Sequence, residues 1–273
     1  MERLESPCDQ PVPGRNILTD PQRAARTIHR LLNRFVASGT ELSALTVGAN
    51  SIGAYLTIVG VDSDKVTVSL CAEAEGADDK AARNRAEQIH LTRIGDEIVL
   101  EVGEFSTQQR ATGHLEILAP KERPIRIAGA FDEILINGMT RAVQVDAPRA
   151  SVSILKTSGE VSVAARSIIY AGSSGVAKLH AKTMDTSHID IKITANCFDG
   201  SFEAIASGLI RVLVPADFSG IQAIVERSSR LLCRANALRH MAFEKRQENV
   251  AFTHGRPTVT LLSRHGQVIL DQY

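Results

Sequence analysis

Between residues 113 and 214 the chain repeats one short phrase: an apolar residue, a polar one, an apolar one, then a turn. Leu115-Glu116-Ile117, Ile125-Arg126-Ile127, Ile134-Leu135-Ile136, Val143-Gln144-Val145, Val152-Ser153-Ile154 and Val161-Ser162-Val163 follow at intervals of about nine or ten residues. Weaker members come near Ile168–Tyr170 and Val176–Leu179, and Ile189–Ile193, Phe202–Ala204 and Ile210–Val212 close the series. Alternation of period two puts both apolar side chains of a triplet on one face of a strand. Gly113, Gly129, Gly138, Pro148, Gly159, Gly172, Gly175, Gly200 and Gly208 fall between the triplets, where turns belong.

Two all-β architectures fit this rhythm. A sandwich needs strands of about five or six residues joined by hairpin turns of the Asn-Gly kind. Asn137-Gly138 is the only Asn-Gly dipeptide in the series, and most strands offer just two inward positions. A solenoid needs brief strands at a steady interval, each lying on its equivalent in the next coil. Brevity and regularity favour the solenoid, with two steps making a coil of about 20 residues.

Upstream, Asp20-Pro21 has the form of a helix start, and Ile28, Leu31, Leu32, Phe35 and Val36 follow at helical spacing before Gly39. The pattern predicts a basic amphipathic helix over 20–39, with Arg23, Arg26, Arg30 and Arg34 on its other side. From Leu42 the period falls to two. A second helix is expected within 77–90, capped by Asp78, with Ala81, Ala82, Ala86 and Ile89 as its apolar positions. The expected organisation is a flexible lead over 1–19, the helix over 20–39 as a cap, and a β-solenoid domain over 42–273.

Lys plus Arg and Asp plus Glu are both 31, so no whole-protein field draws the chain to nucleic acid. Aromatics are only 4%, with no Trp, which argues against stacking platforms for bases or sugars. The basic run Arg227, Arg230, Arg234, Arg239, His240, Lys245 and Arg246 is diluted by Glu226, Glu244 and Glu248 and is read as solvated surface. Cys8, Cys71, Cys197 and Cys233 have long, irregular spacings and no CxxC, which leaves a zinc site unsupported. The expectation is four reduced thiols. Residues 1–14 lack the apolar core of a secretory signal, and no stretch reaches the roughly 18 apolar residues of a membrane helix. Cytoplasmic residence is the default expectation.

Three stretches resemble a known bacterial family, the domain-of-unknown-function 4097 (DUF4097) proteins, labelled adhesins. They are the entry Tyr55–Val68 with Gly95–Leu100, the repetitive middle including Lys156–Val161, and the close Val212–Gly220 followed by Pro257–Leu270. The likeness covers about residues 42–271 and is one of rhythm and small phrases. It implies a single-stranded right-handed parallel β-helix, here preceded by an N-terminal amphipathic helix. The family supplies no catalytic residues to carry over.

Chemical motifs are few. The histidines His29, His90, His114, His180, His188, His240, His254 and His265 form neither HExxH nor HxH. Asp62-Ser63-Asp64 lacks the Gly and the later Glu of a calcium loop. Gly172-Ser173-Ser174-Gly175 lacks the Lys-Ser/Thr of a phosphate loop. Lys156-Thr157-Ser158-Gly159 has no S-x-x-K or S-D-N to accompany it. All three segments are read as turns.

The expected function is a non-enzymatic binding or scaffolding module that offers a rigid strand surface to a protein partner or to another copy of itself. Arg126, Gln144, Ser153, Asp190, Lys192 and Arg211 are the outward residues to watch. One alternative is a membrane-peripheral protein held by the helix over 20–39, with Arg23, Arg26, Arg30 and Arg34 meeting acidic lipid. A second is a polysaccharide-active enzyme, whose mark would be a groove with two buried carboxylates. No cofactor, metal or nucleic acid is expected.

Overall fold

The computed structural model describes residues 8, 27–38, 45–103, 111–171, 178–183, 188–193, 201–206, 208–215, 221–225, 230–233, 249–251, 258–263 and 266–273. Among them the chain is mainly β, with 18 strands in one sheet and one helix. The first strands are β1 (Thr27–Ser38), β2 (Leu45–Val61), β3 (Lys65–Gly76), β4 (Ile89–Ile94), β5 (Glu97–Val102) and β6 (Ala111–Pro120). Next come β7 (Ile125–Asn137), β8 (Val143–Leu155), β9 (Glu160–Ala171), β10 (Lys178–Thr183), β11 (Ile189–Lys192) and β12 (Ser201–Ala206). The last six are β13 (Leu209–Val214), β14 (Ile221–Val225), β15 (Arg230–Cys233), β16 (Asn249–Ala251), β17 (Thr258–Ser263) and β18 (Gln267–Gln272). The helix, α1, spans Asp79–Ala86.

The pairings resolve the sheet into two ladders. Through the middle of the first, Ile125 lies on Val143, Val143 on Val161 and Val161 on Leu179, a step of 18 residues each time, all parallel. The second runs Leu56, Ile134, Val152, Ile168, Ile189, Ile210 and Val268, again parallel. Strands β2, β7, β8 and β9 are long enough to serve both. Each bends between its halves, where the register breaks at Ala49/Ala54 in β2 and at Ala147/Ser151 in β8.

Residue size explains where the bends fall. Ala49, Gly129, Ala147 and Ala165 lie at the corner, and a larger side chain would hold neighbouring backbones apart. At Gly129 φ is +121°, and a Cβ there would stand 2.3 Å from the Ala49 carbonyl oxygen, so only glycine fits. The Asp132 carboxylate accepts the Gly53 N–H at 3.0 Å, which satisfies one donor freed by the bend.

The triplets do what their pattern implies. Their apolar members point inward and stack rung on rung: Leu45, Ile125, Val143, Val161 and Leu179 in one column, Leu56, Ile134, Val152, Ile168 and Ile189 in another, none more than 2% exposed. β-Branched side chains suit such columns, since they lose little rotamer freedom on a pleated surface. Both ladders share one hydrophobic core.

The ends are not in chain order. At the start, β6 and then the antiparallel β3 continue the second ladder outward from β2. At the finish, β17 and β18 slot between β12–β13 and β14–β15. Helix α1 forms where expected, with Asp78 Oδ1 accepting from the Ala81 N–H at 2.7 Å and Ala82 and Ala86 buried. Ile89, read as helical, instead opens β4.

The amphipathic helix expected over 20–39 is a strand wherever that segment is described. β1 pairs antiparallel with β3 from Thr27↔Gly76 to Ser38↔Lys65 without a break. Its residues satisfy both periods. Read at helical spacing, Ile28, Leu31, Leu32, Phe35 and Val36 form a stripe. Read two by two, Leu31 and Ala37 turn toward the core while Arg30, Leu32, Arg34 and Val36 turn out. The strand wins because the edge of β3 would otherwise carry a row of unpaired backbone groups, a cost that outweighs weak helix propensity.

The expectation of four reduced thiols is also corrected. Cys8 and Cys71 form a disulfide with a Cα–Cα distance of 5.2 Å. They lie 63 residues apart, and Cys71 pairs with Leu32 in the β1–β3 register. The segment around Lys156 is a turn, as read: Lys156 has φ +49° and Gly159 φ +95°, and the buried Thr157 hydroxyl donates to the Leu155 carbonyl at 3.1 Å. The 172–175 segment lies outside the described residues.

Ile134 sits at the centre of this stack, and we expect Ile134→Ala to cost about 2–5 kcal/mol in urea unfolding. Arg126→Ala, on the exposed side of the same strand, should change stability by less than about 0.5 kcal/mol. Equal costs would mean that the inward column does not carry the fold.

Candidate interaction surface

Because the pleat alternates, every inward column has an outward counterpart, and the two ladders differ in what they turn outward. The first presents Thr46, Arg126, Gln144, Ser162 and His180 in one row, and Gly48, Ala128, Asp146, Ala164 and Lys182 in the next. These are polar or small. The second presents Thr57, Leu135, Ser153, Ile169, Asp190, Arg211 and Ile269 in one row. Its neighbouring row holds Val59, Asn137, Leu155, Ala171, Lys192, Leu213 and Asp271. Val59, Leu135, Leu155, Leu213 and Ile269 are only part-buried there, and Ile169 is 46% exposed.

Charged residues cross both rows: Asp190 and Lys192 of β11 separate Leu135, Leu155 and Ile169 from Leu213 and Ile269. Arg211 Nη2 lies 3.5 Å from Asp271 Oδ2, and Lys192 Nζ sits 4.6 Å from the centre of the Tyr273 ring. The Tyr273 hydroxyl donates to the Ile193 carbonyl at 2.9 Å and fixes that ring. His188 Nε2 is 3.9 Å from Asp190 Oδ2. Of the six outward residues singled out in the sequence, Ser153, Asp190, Lys192 and Arg211 share this face, while Arg126 and Gln144 stand on the other ladder. The aliphatic members were missed because in the sequence they occupy the positions expected to be polar.

The same outer face changes character toward the first strands. Ser69, Cys71, Glu73 and Glu75 of β3 and His114 and Glu116 of β6 are buried although they point away from the core. Arg30 Nε donates to Glu73 Oε2 at 2.8 Å, and Arg30 Nη1 reaches the Cys8 carbonyl at 3.4 Å. His114 Nε2 and Thr57 Oγ1 are 3.1 Å apart. Burial pushes the Glu116 carboxyl above its ordinary pKa, with Arg34 pulling the other way. Burial alone raises Glu133. Of the four arginines assigned to the expected helix, Arg30 and Arg34 therefore face β3 and β6 carboxylates. Arg23 and Arg26 lie outside the described residues.

A shallow hollow of about 470 Å³ opens at the corner, lined by Ala49, Ala128, Gly129, Ala130, Asp146, Pro148 and Arg149. Its single carboxylate is Asp146. Among the described residues no group of three or more His, Cys, Asp or Glu side chains is placed to hold a metal ion. No described helix is long and apolar enough to cross a membrane.

No family model matches the chain, and no curated protein does. Solved structures similar to it include two bacterial proteins. One is a candidate cell adhesion protein from Clostridium sporogenes, 10% identical, with TM-score 0.37, covering 90% of this chain and 100% of its own. The other is a candidate adhesin from Bacteroides fragilis, 11% identical, with TM-score 0.34, covering 90% of this chain and 97% of its own.

A raised carboxyl pKa means the folded chain holds that proton more tightly than the unfolded one. The group then favours folding at low pH, and that benefit is lost as pH rises through the folded value. Glu116→Gln, neutral at every pH, should therefore raise Tm at pH 8, with the gain vanishing below the ordinary value of 4.5. A lower Tm for the variant at pH 8 would mean that attraction to Arg34 outweighs burial.

Proposed function

We propose that this chain is a non-enzymatic binding module whose strands coil as a parallel β-solenoid, with the outer face of the second ladder as its docking surface for a protein partner. The constant step of 18 residues from Ile125 through Val143 and Val161 to Leu179 supports the coil. The observation that carries the function is the contrast between the two outer faces. One carries only polar or small residues. The other sets Leu135, Leu155, Ile169 and Ala171 on the neighbouring rungs of β7, β8 and β9, with Asp190 and Lys192 of β11 beside them. An apolar centre with a charged rim is the anatomy of a protein interface, and the rungs hold it rigid so that little entropy is lost on binding. An adhesin-like role, as the DUF4097 resemblance implies, is one form of this reading.

The membrane-peripheral alternative rested on a basic amphipathic helix. With residues 27–38 in β1, that anchor is gone, and Arg30 is committed to Glu73. For localisation, the Cys8–Cys71 bond favours an oxidising compartment over the cytoplasmic default. Thiol titration of denatured, unreduced protein from the native host should find at most two free thiols, because Cys8 and Cys71 are bonded to each other. Four would return the chain to a reducing compartment.

A photo-crosslinking residue placed at Ile169 should trap one discrete protein in the native host, and the same residue at Gln144 should not. Ile169→Asp should weaken binding of that purified partner by at least about tenfold, the loss of one buried anchor. Equal trapping from both positions would refute the docking face.

A further inference from the structure

We propose that the Cys8–Cys71 bond is a redox latch: a dithiol reductant opens it, Cys8 leaves the outer face of β3 and β6, and Cys71 becomes a modifiable thiol while the stacked rungs stay folded. This goes beyond the docking face and does not depend on it.

The bond lies outside the core. Cys71 stands on the outward side of β3, between Ser69 and Glu73, and neither cysteine belongs to the apolar core that the two ladders share. In register it faces Leu32 of β1 and His114 of β6. Around it Ser69, Glu73, Glu75, His114 and Glu116 are at most 9% exposed. Backbone pairing shields the edges of a strand and not its outward face, so side chains there are buried only when something lies over the sheet. Among the described residues, Cys8 is the one brought onto that face from outside the sheet. Its carbonyl accepts from Arg30 Nη1 at 3.4 Å, while Arg30 Nε donates to Glu73 Oε2 at 2.8 Å.

Two observations distinguish a latch from a structural staple. The first is that the fold around the bond has other supports. β3 pairs with β1 from Lys65 to Gly76 and with β6 from Thr67 to Ala74, and one continuous core runs through both ladders. Disulfides are indispensable mainly in small domains that cannot build such a core. The second is that the two sulfurs are unequally covered. Cys71 is 5% exposed, whereas Cys8 is only part-buried, so an incoming thiolate meets Cys8. Attack forms a mixed disulfide at Cys8 and expels Cys71 as a thiolate, which takes up a proton on the face it shares with His114. The second thiol of the reductant then displaces Cys8. The reductant ends as a disulfide, and two electrons and two protons have passed to Cys8 and Cys71. Cys8 then has no covalent hold on the face, and its carbonyl keeps only the Arg30 contact.

Iodoacetamide labelling of the folded chain tests this, in a background of Cys197→Ser and Cys233→Ser. Mass spectrometry reads Cys71, and hydrogen exchange in β8 reports on the rungs. Before reduction Cys71 should not label. After dithiothreitol and desalting it should label within about tenfold of its rate in the urea-denatured chain, as an uncovered thiol does. Exchange in β8 should not change. Cys8→Ser should give the same labelling without any reductant. Slower labelling of the reduced chain would overturn the proposal, because Cys8 would then still cover Cys71. Faster β8 exchange on reduction would also overturn it, since the bond would be holding the whole fold. So would labelling of Cys71 before reduction. Crosslinking through Ile169 reads the docking face separately, so either reading can fail while the other stands.

Discussion

The structure depends on parallel backbone pairing in register, repeated until each inward side chain lies on an equivalent one. Neither half of that arrangement is stable alone. A single rung buries only two small apolar side chains, far too little to offset the entropy of fixing its backbone. Stacked, Ile134 is covered by Leu56 on one side and Val152 on the other, and the backbone groups of each rung are satisfied by the next. The same pairing fixes which side chains face outward, so the surface follows from the core. Leu135 and Ile169 lie two rungs apart on one line because Ile134 and Ile168 do.

Stacking leaves ends, and the chain treats them differently. At the start, β1 and β3 run antiparallel and α1 tucks Ala82 and Ala86 beneath them. The Cys8–Cys71 bond ties the earliest described residue to the outer face there. At the finish, β17 and β18 are covered by β14 and β15, so the last strands in sequence are not the last in space. The side of the second ladder between these ends carries Leu135, Leu155 and Ile169, and its terminal strand β1 carries Leu32 and Val36.

The middle of the fold was legible because its signal is local. In Val143-Gln144-Val145 the alternation, the β-branching and the flanking turn residues agree, and the mainly β class follows. Asp78 was equally legible as a cap, since a cap acts over three residues. β1 was not, because Leu31, Leu32, Phe35 and Val36 fit both periods and the deciding term is the open edge of β3, whose Ala72, Cys71, Val68 and Thr67 pair with them from far along the chain. The disulfide likewise joins residues far apart in the chain. The outer face proposed for docking was half legible: Asp190, Lys192 and Arg211 stood out as polar members of triplets, while Leu135, Ile169 and Ile269 reach the same row only through pairings between distant strands.

Lengthwise stacking of rungs can be measured directly. Leu135, Ser153, Ile169, Asp190, Arg211 and Ile269 form one outward row across successive strands. Spin labels at Leu135 and Ile269, in a chain carrying Cys197→Ser and Cys233→Ser, are then five strand spacings apart, about 24 Å. Pulsed electron–electron resonance should give one narrow distribution within label length of that distance. A broad distribution, or a mean near twice that value, would contradict the stacked ladder and every surface derived from it.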